Sequence, residues 1–365
     1  MRHGTLLGMV IPFFLGLGCQ FLPARPAQNT QSYRAEEVGL SEWVAARPHS
    51  PQASGVRVPV DEEVATRFAE ALRELALGHI AGAFEIAASV GYEVVEILDG
   101  RSRYLALIEI NGQGVGPLVV LSTNPTRNLI AEAPHPTFEL GTGAQAIELV
   151  VSAGARAAIL AGAHRCASST PSGCDGETSV CNKDYAPPSI SYVDSDVAHS
   201  PSTLFHSAHR TLADLWSDAI VVQLHGMGTG RSRLPTGKTR PPEEWTWFVL
   251  SSGANTSVPD SPLSVRARDV LRTLVQEGDV RAVSCQDATD KQRFQHRNLC
   301  GTKNVQNRFL LGLPIVCTSG TTEMSPRFLH VEQRFDPVLN DPVEMGIMVK
   351  ALKDVVPEQA PGQLR

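Results

Sequence analysis

From residue 140 onward, short apolar runs alternate with helical stretches, and this alternation leaves few folds open to the chain. Ala144–Ala153 reads as a helix, Ala155–Ala161 as a strand of small apolar residues, Thr203–Trp216 as a helix and Asp218–Leu224 as a strand. Trp245–Ser251, Val280–Cys285 and Phe328–Gln333 continue as strands, with helices over Ser261–Gln276 and Val343–Val355. Strands this uniformly apolar need cover on both faces, which a sheet between helices supplies. Upstream, Tyr92–Leu98, Tyr104–Ile110, Leu118–Leu121 and Leu129–Ala133 are strand-like, and Asp99-Gly100-Arg101-Ser102 and Asn111-Gly112-Gln113-Gly114 are turn signals. The expected fold is α/β, with a mixed sheet that is antiparallel early, largely parallel later, and flanked by helices. Asp61 opens a further helix that ends at Gly78, with Val64, Phe68, Ala71, Leu72 and Leu75 on one face.

The ends of the chain carry a different message. Met1-Arg-His is a positive start, and Leu6 to Leu17 is an apolar stretch too short to span a bilayer, so residues 1–18 read as a secretory signal. Gly16-Leu17-Gly18-Cys19 resembles the lipobox of bacterial lipoproteins, with Gly16 where that family has Leu. The resemblance implies a lipid on Cys19 as the only membrane contact; an ordinary signal peptide cut near Gly18 is the plainer alternative. Residues 19–60 are rich in Pro, Ala, Gln, Ser and Arg and read as a disordered tether, leaving 61–358 as a single α/β catalytic domain. The net charge of −6, without any Lys/Arg run, excludes a nucleic-acid partner. Apart from Cys19, six cysteines remain: Cys166, Cys174 and Cys181 in one loop, Cys285, Cys300 and Cys317 in another region. An even set in an exported chain suggests disulfides, and three per group forces at least one bridge between the groups if all are oxidised.

Candidate ligands stand where strands end, which is where ligands sit in open α/β sheets. Leu129–Ala133 runs into Pro134, followed at once by His135 and, four residues on, Glu139. His225 ends the apolar run Ala219-Ile-Val-Val-Gln-Leu. Two imidazoles and one carboxylate form a donor set suited to catalytic zinc with one open position. Asp196 and His199 lie in the long loop Cys166–Ser200, and they read as supports for the ligands. A rival set of Asp196, His199 and His209 is also possible, and His206 and His209 share a helical face whose plain reading is a solvated one. Arg165, after His164 at a strand end, and Arg308 are candidate clamps for a substrate carboxylate, each against the simpler reading of a structural ion pair. His225-Gly-Met-Gly-Thr-Gly230 lacks the Gly-x-Ser-x-Gly partner of an α/β-hydrolase, and the segment 232–239 lacks the first glycine of a phosphate loop.

The order His135…Glu139, then His225 after a buried strand, then Glu332 in Phe328-Leu-His-Val-Glu-Gln333, resembles the zinc metallocarboxypeptidases, and more closely the branch of phage poly-γ-glutamate hydrolases. The resemblance implies that fold, zinc as cofactor, and Glu332 as the general base that activates water. It implies hydrolysis of a peptide-like or γ-glutamyl-type amide with an acidic substrate, here in the bacterial cell envelope. The spacer between His135 and Glu139 is one residue longer than the family's His-x-x-Glu, and Asn307-Arg308 is the only match to its substrate pair, placed after the third ligand. A non-catalytic envelope lipoprotein that binds without hydrolysis is the competing class; a zinc esterase or deacetylase would differ only in substrate.

Overall fold

Leu129, Ala131 and Ala133 enter one apolar cluster, while Ile130 enters another. The same split divides Val222 and Leu224 from Val221, and Leu329 and Val331 from Phe328. Side chains alternate between faces along a strand, so these strands are apolar on both sides and need helices on both. The structure, a computed structural model, describes Met1 and residues 33–47, 58–110, 115–182, 188–228, 245–254, 257–275, 281–287, 299–318 and 323–360. The strands are β1 (Arg34–Glu37), β2 (Tyr92–Asp99), β3 (Ser102–Glu109), β4 (Leu118–Ser122), β5 (Arg127–Ala133), β6 (Ala155–Leu160), β7 (Glu177–Thr178), β8 (Ile190–Ser191), β9 (Ile220–Met227), β10 (Phe248–Ser251), β11 (Ala282–Ser284) and β12 (Phe328–Arg334).

Ten of them form one sheet in the order β1-β2-β3-β4-β6-β5-β9-β12-β10-β11, and β7 and β8 pair separately. β2, β3 and β4 are antiparallel neighbours, whereas β6, β5, β9 and β12 are parallel. The expected mixed sheet, antiparallel first and mainly parallel afterwards, is therefore present. β10 departs from it by running antiparallel to β12.

One face carries α1 (Leu40–Ala45), α4 (Thr142–Val151), α6 (Pro262–Leu274) and α8 (Pro342–Val355); the other carries α2 (Glu62–Ala76), α3 (Ile80–Ser89) and α5 (Leu204–Leu215). α7 (Val305–Leu310) packs against α5. Local chemistry starts these helices. The Thr203 hydroxyl accepts from His206 N–H, Ser261 from Ser264 N–H ahead of Pro262, and the Asp341 carboxylate from Val343 and Glu344 N–H ahead of Pro342.

Residues 34–45 correct the expected tether. β1 pairs in parallel with β2, and Leu40, Trp43 and Val44 are buried against the core. Their spacing is one helical turn of apolar residues, enough to seat a short helix on the sheet edge although the flanking composition is polar. The expected signal segment and Cys19 lie outside the described residues, as do residues 111–114 of the second turn. Among the described residues, no helix is long and apolar enough to cross a membrane.

The long loop after β6 is held at several points. Cys166 pairs with Cys181, Cys174 with Cys317 and Cys285 with Cys300, so one bridge joins the two cysteine groups. Three disulfides fit an oxidising compartment.

Candidate metal centre

β5, β9 and β12 lie side by side and parallel, and their register builds the site in tiers. Ile130, Val221 and Phe328 align in the first tier, and Glu132, Gln223 and His330 in the second. His225 aligns with Glu332 in the third. All point to the face covered by α2, α3 and α5, so that face turns from apolar to polar towards the carboxyl ends of the strands.

Past β5, the chain makes one helical turn in which Phe138 and Glu139 N–H both donate to His135 C=O. That turn brings His135 and Glu139, four apart, to the same side. Gly141 follows with φ +93°, and a Cβ there would lie 2.5 Å from Leu339 C=O, so only glycine lets the chain continue into α4. The extra residue in the His135–Glu139 spacer is absorbed by this turn.

The three candidate ligands converge and are buried. His135 Nδ1 lies 3.1 Å from Glu139 Oε1, and His225 Nδ1 lies 3.3 Å from Glu139 Oε2. One ligand atom from each of the three residues lies within 4.8 Å of the other two, close enough for a shared cation. The far nitrogens are held as well: His135 Nε2 meets Asp196 Oδ1 at 2.8 Å, and His225 Nε2 meets Gln223 Oε1 at 2.9 Å. An outer carboxylate or amide on the second ring nitrogen is the usual support of a metal-ligating histidine.

Arg165 crosses this group, with Nη1 2.8 Å from Glu139 Oε1 and Nη2 2.6 Å from Asp196 Oδ2. Burial alone would raise the Glu139 carboxyl, but the His135 and His225 imidazoles outweigh it and hold it well below the usual range. Burial likewise opposes the charge of Asp196, and Arg165 and His135 outweigh it, leaving that carboxyl well below its ordinary value. Burial and Arg165 disfavour the His135 imidazolium, yet Glu139 and Asp196 raise its pKa overall. His225 is pushed down by burial. Glu332 goes the opposite way to Glu139: burial, and then the Glu139 charge, raise it well above the carboxylate range.

The group opens into a cavity of about 1190 Å³, lined among others by Glu332, His199, Tyr192, Lys303 and His330. His199 Nδ1 meets Lys303 C=O at 3.1 Å and its ring stacks on Tyr192 at 3.6 Å, so it shapes the wall. The rival set is not brought together: Asp196 serves His135 and Arg165, while His209 Nδ1 lies 2.6 Å from Glu132 Oε1. His206 and His209, expected on a solvated face, are buried where α5 packs against the sheet and against Phe309 of α7. His164 is buried beside Phe138, where its Nδ1 accepts from Cys166 N–H.

Arg308 corrects the expectation of a substrate clamp. Its guanidinium is spent on Asp175, at 2.7 and 3.1 Å, and on the carbonyls of Val316 and Cys317. Asp175 is placed there by the Cys174–Cys317 bridge beside it. Lys303 lines the cavity instead, and makes no ion pair among the described residues.

His330 is the site residue that the sequence reading omitted. It stacks on His225 at 4.4 Å, and its Nε2 lies 3.9 Å from Glu332 Oε1. His225, His330 and Glu332 form a second donor group among the described residues. Period two from Glu332 along β12 was the available signal.

No family model and no curated protein matches the sequence. Among solved structures, the chain is similar to N-formylglutamate amidohydrolase from Ralstonia eutropha JMP134, at 13% identity and a TM-score of 0.36 over 66% of this chain and 95% of that one. It is also similar to a protein proposed to be a metallopeptidase from Shewanella amazonensis SB2B, at 10% identity and a TM-score of 0.31 over 66% of this chain and 83% of that one. Both likenesses are too distant to bear on activity.

Proposed function

We propose that this protein is an exported zinc-dependent hydrolase that cleaves a peptide-like or γ-glutamyl-type amide. The observation that supports it most is the convergence of His135 Nδ1, Glu139 and His225 Nδ1, with the far nitrogen of each ring already engaged. Zinc in that donor set acts as a Lewis acid and lowers the pKa of water to about 7. The chain's own residues do the rest. Glu332 accepts a proton from the attacking water on a carboxylate oxygen and returns it to the leaving nitrogen, so water and amide become carboxylic acid and amine. A buried carboxyl held well above its ordinary range suits both transfers. Arg165, on the cavity wall, is spent on Glu139 and Asp196, so it holds the candidate ligand Glu139 in place rather than clamping substrate.

An acidic substrate fits Lys303, which takes the role expected of Arg308. The three disulfides support secretion, and an N-terminal lipid on Cys19 completes the envelope placement. The test is release of amine from γ-glutamyl and carboxylate-terminated peptide amides by the purified protein. Hydrolysis that chelation removes, and that Glu332→Gln abolishes while metal is retained, supports the reading. A metal-loaded protein inert on both substrate types overturns it.

A further inference from the structure

Beneath the candidate ligands lies a tier of buried side chains, Glu132, Gln223, Gln306, Asn304 and His209, of which only Gln223 touches a candidate ligand, at His225 Nε2. Their hydrogen bonds have only one consistent polarity. Gln306 Nε2 donates to Val197 C=O at 3.0 Å, which turns Gln306 Oε1 towards Gln223. Asn304 Oδ1 accepts from Asn307 N–H at 2.9 Å at the start of α7, which turns Asn304 Nδ2 towards Gln223. Glu132, as a carboxylate, can only accept; it takes His209 Nδ1 on Oε1 and Gln223 Nε2 on Oε2, at 2.6 and 3.0 Å.

The amide of Gln223 is therefore fixed from both ends. Its NH₂ faces two acceptors, Glu132 Oε2 at 3.0 Å and Gln306 Oε1 at 3.4 Å. Its Oε1 faces two donors, Asn304 Nδ2 and His225 Nε2, the latter at 2.9 Å. Reversing the amide would set donor against donor at Asn304 and acceptor against acceptor at Glu132. Unmet buried polar groups are expensive, so the reversed state is excluded.

We infer that Gln223 is a positioning residue for His225: its locked amide keeps the imidazole proton on Nε2 and so presents the bare Nδ1 lone pair to the Glu139 side of the site. This inference rests on the metal reading above. It also adds to it, because a bare Nδ1 then faces the Glu139 Oε2 carboxylate oxygen at 3.3 Å, acceptor against acceptor, an arrangement that a cation between them resolves. Without the lock, the neutral ring would place its proton on Nδ1 and donate it to Glu139. The ligand would then arrive with its coordinating nitrogen blocked.

The test is nitrogen-15 NMR of the histidine side chains in the metal-free, full-length protein, paired with zinc titration against a chromophoric chelator. Wild-type His225 is expected as the Nε2–H tautomer. Gln223→Met is expected to move the proton to Nδ1 and weaken zinc binding by about 10–100-fold. Glu132→Gln, which removes the acceptor-only anchor while keeping size, is expected to give a tautomer mixture, and it serves if Gln223→Met does not fold. Gln145→Met breaks the buried Gln145–Gln333 amide pair on the opposite sheet face, and is expected to lower stability without moving either readout. Nδ1–H in the wild type, or an unchanged tautomer and zinc affinity in both the Gln223 and Glu132 variants, overturns the inference. A wild type with the Nε2–H tautomer that shifts in the variants, but with no zinc binding at all, upholds the lock and sinks the metal reading.

Discussion

Arg165 Nη1 lies 2.8 Å from Glu139 Oε1, the same oxygen that His135 Nδ1 approaches at 3.1 Å. One carboxylate thus anchors a buried guanidinium and belongs to the candidate donor set. Arg165→Met leaves Glu139 and Asp196 without their shared cation. Removing one partner of a buried ion pair destabilises by about 3–5 kcal/mol, so the metal-free variant should lose that much in chemical denaturation. Added zinc should restore part of the loss by neutralising Glu139. Wild-type stability in the absence of metal contradicts this.

Glu332 carries the opposite sign. Its folded carboxyl is raised by burial and by Glu139, so the folded protein binds its proton more tightly than the unfolded chain does. Stability is then unaffected below the unfolded value of about 4.3 and falls as pH rises from there towards the folded value. Glu332→Gln removes a group that disfavours folding at neutral pH. The variant is expected to melt higher than wild type at pH 7, with the gap closing near pH 4, while hydrolysis is lost. A lower melting point at pH 7 overturns this assignment of strain.

Zinc affinity should rise with pH. Glu139 and Asp196 together raise the pKa of His135, and a metal needs Nδ1 unprotonated, so binding displaces a proton from that ring. Titration calorimetry in two buffers of different ionisation enthalpy reads the released proton directly. Binding without proton release as pH falls through the His135 range contradicts the placement of His135 in the donor set.

The Cys174–Cys317 bridge spans 143 residues and sits beside the Asp175–Arg308 pair. Closing so long a loop restricts the unfolded chain strongly, by about 5 kcal/mol on the chain-entropy model, against about 3 kcal/mol for the 15-residue span of Cys166–Cys181. The Cys174→Ala/Cys317→Ala double variant is therefore expected to lose more stability than Cys166→Ala/Cys181→Ala, by thermal unfolding. The reverse order contradicts it.

His135 and His225 were legible because each comes at the end of an apolar run, and parallel strands deliver those ends to one edge, although His225 itself still lies within β9. Glu139 was legible only as a neighbour of His135; the helical turn that aims it depends on Gly141 and Leu339, which meet only in the folded chain. Arg308 misled because its partner Asp175 is 133 residues away and is brought to it beside a disulfide whose pairing sequence does not fix. Gln223 interrupts an apolar strand at the same parity as His225, and His330 shares the parity of Glu332. Both signals were present, but a buried amide or imidazole gains meaning only from neighbours on adjacent strands. Residues 34–45 were obscured by polar flanks around three apolar side chains, Leu40, Trp43 and Val44.

Metal analysis of the purified, full-length protein tests the central claim most directly. Stoichiometric zinc that is lost in the His135→Ala/His225→Ala double variant, with the fold retained, is the predicted result. Wild-type protein without stoichiometric zinc, or a double variant that keeps it, contradicts the account.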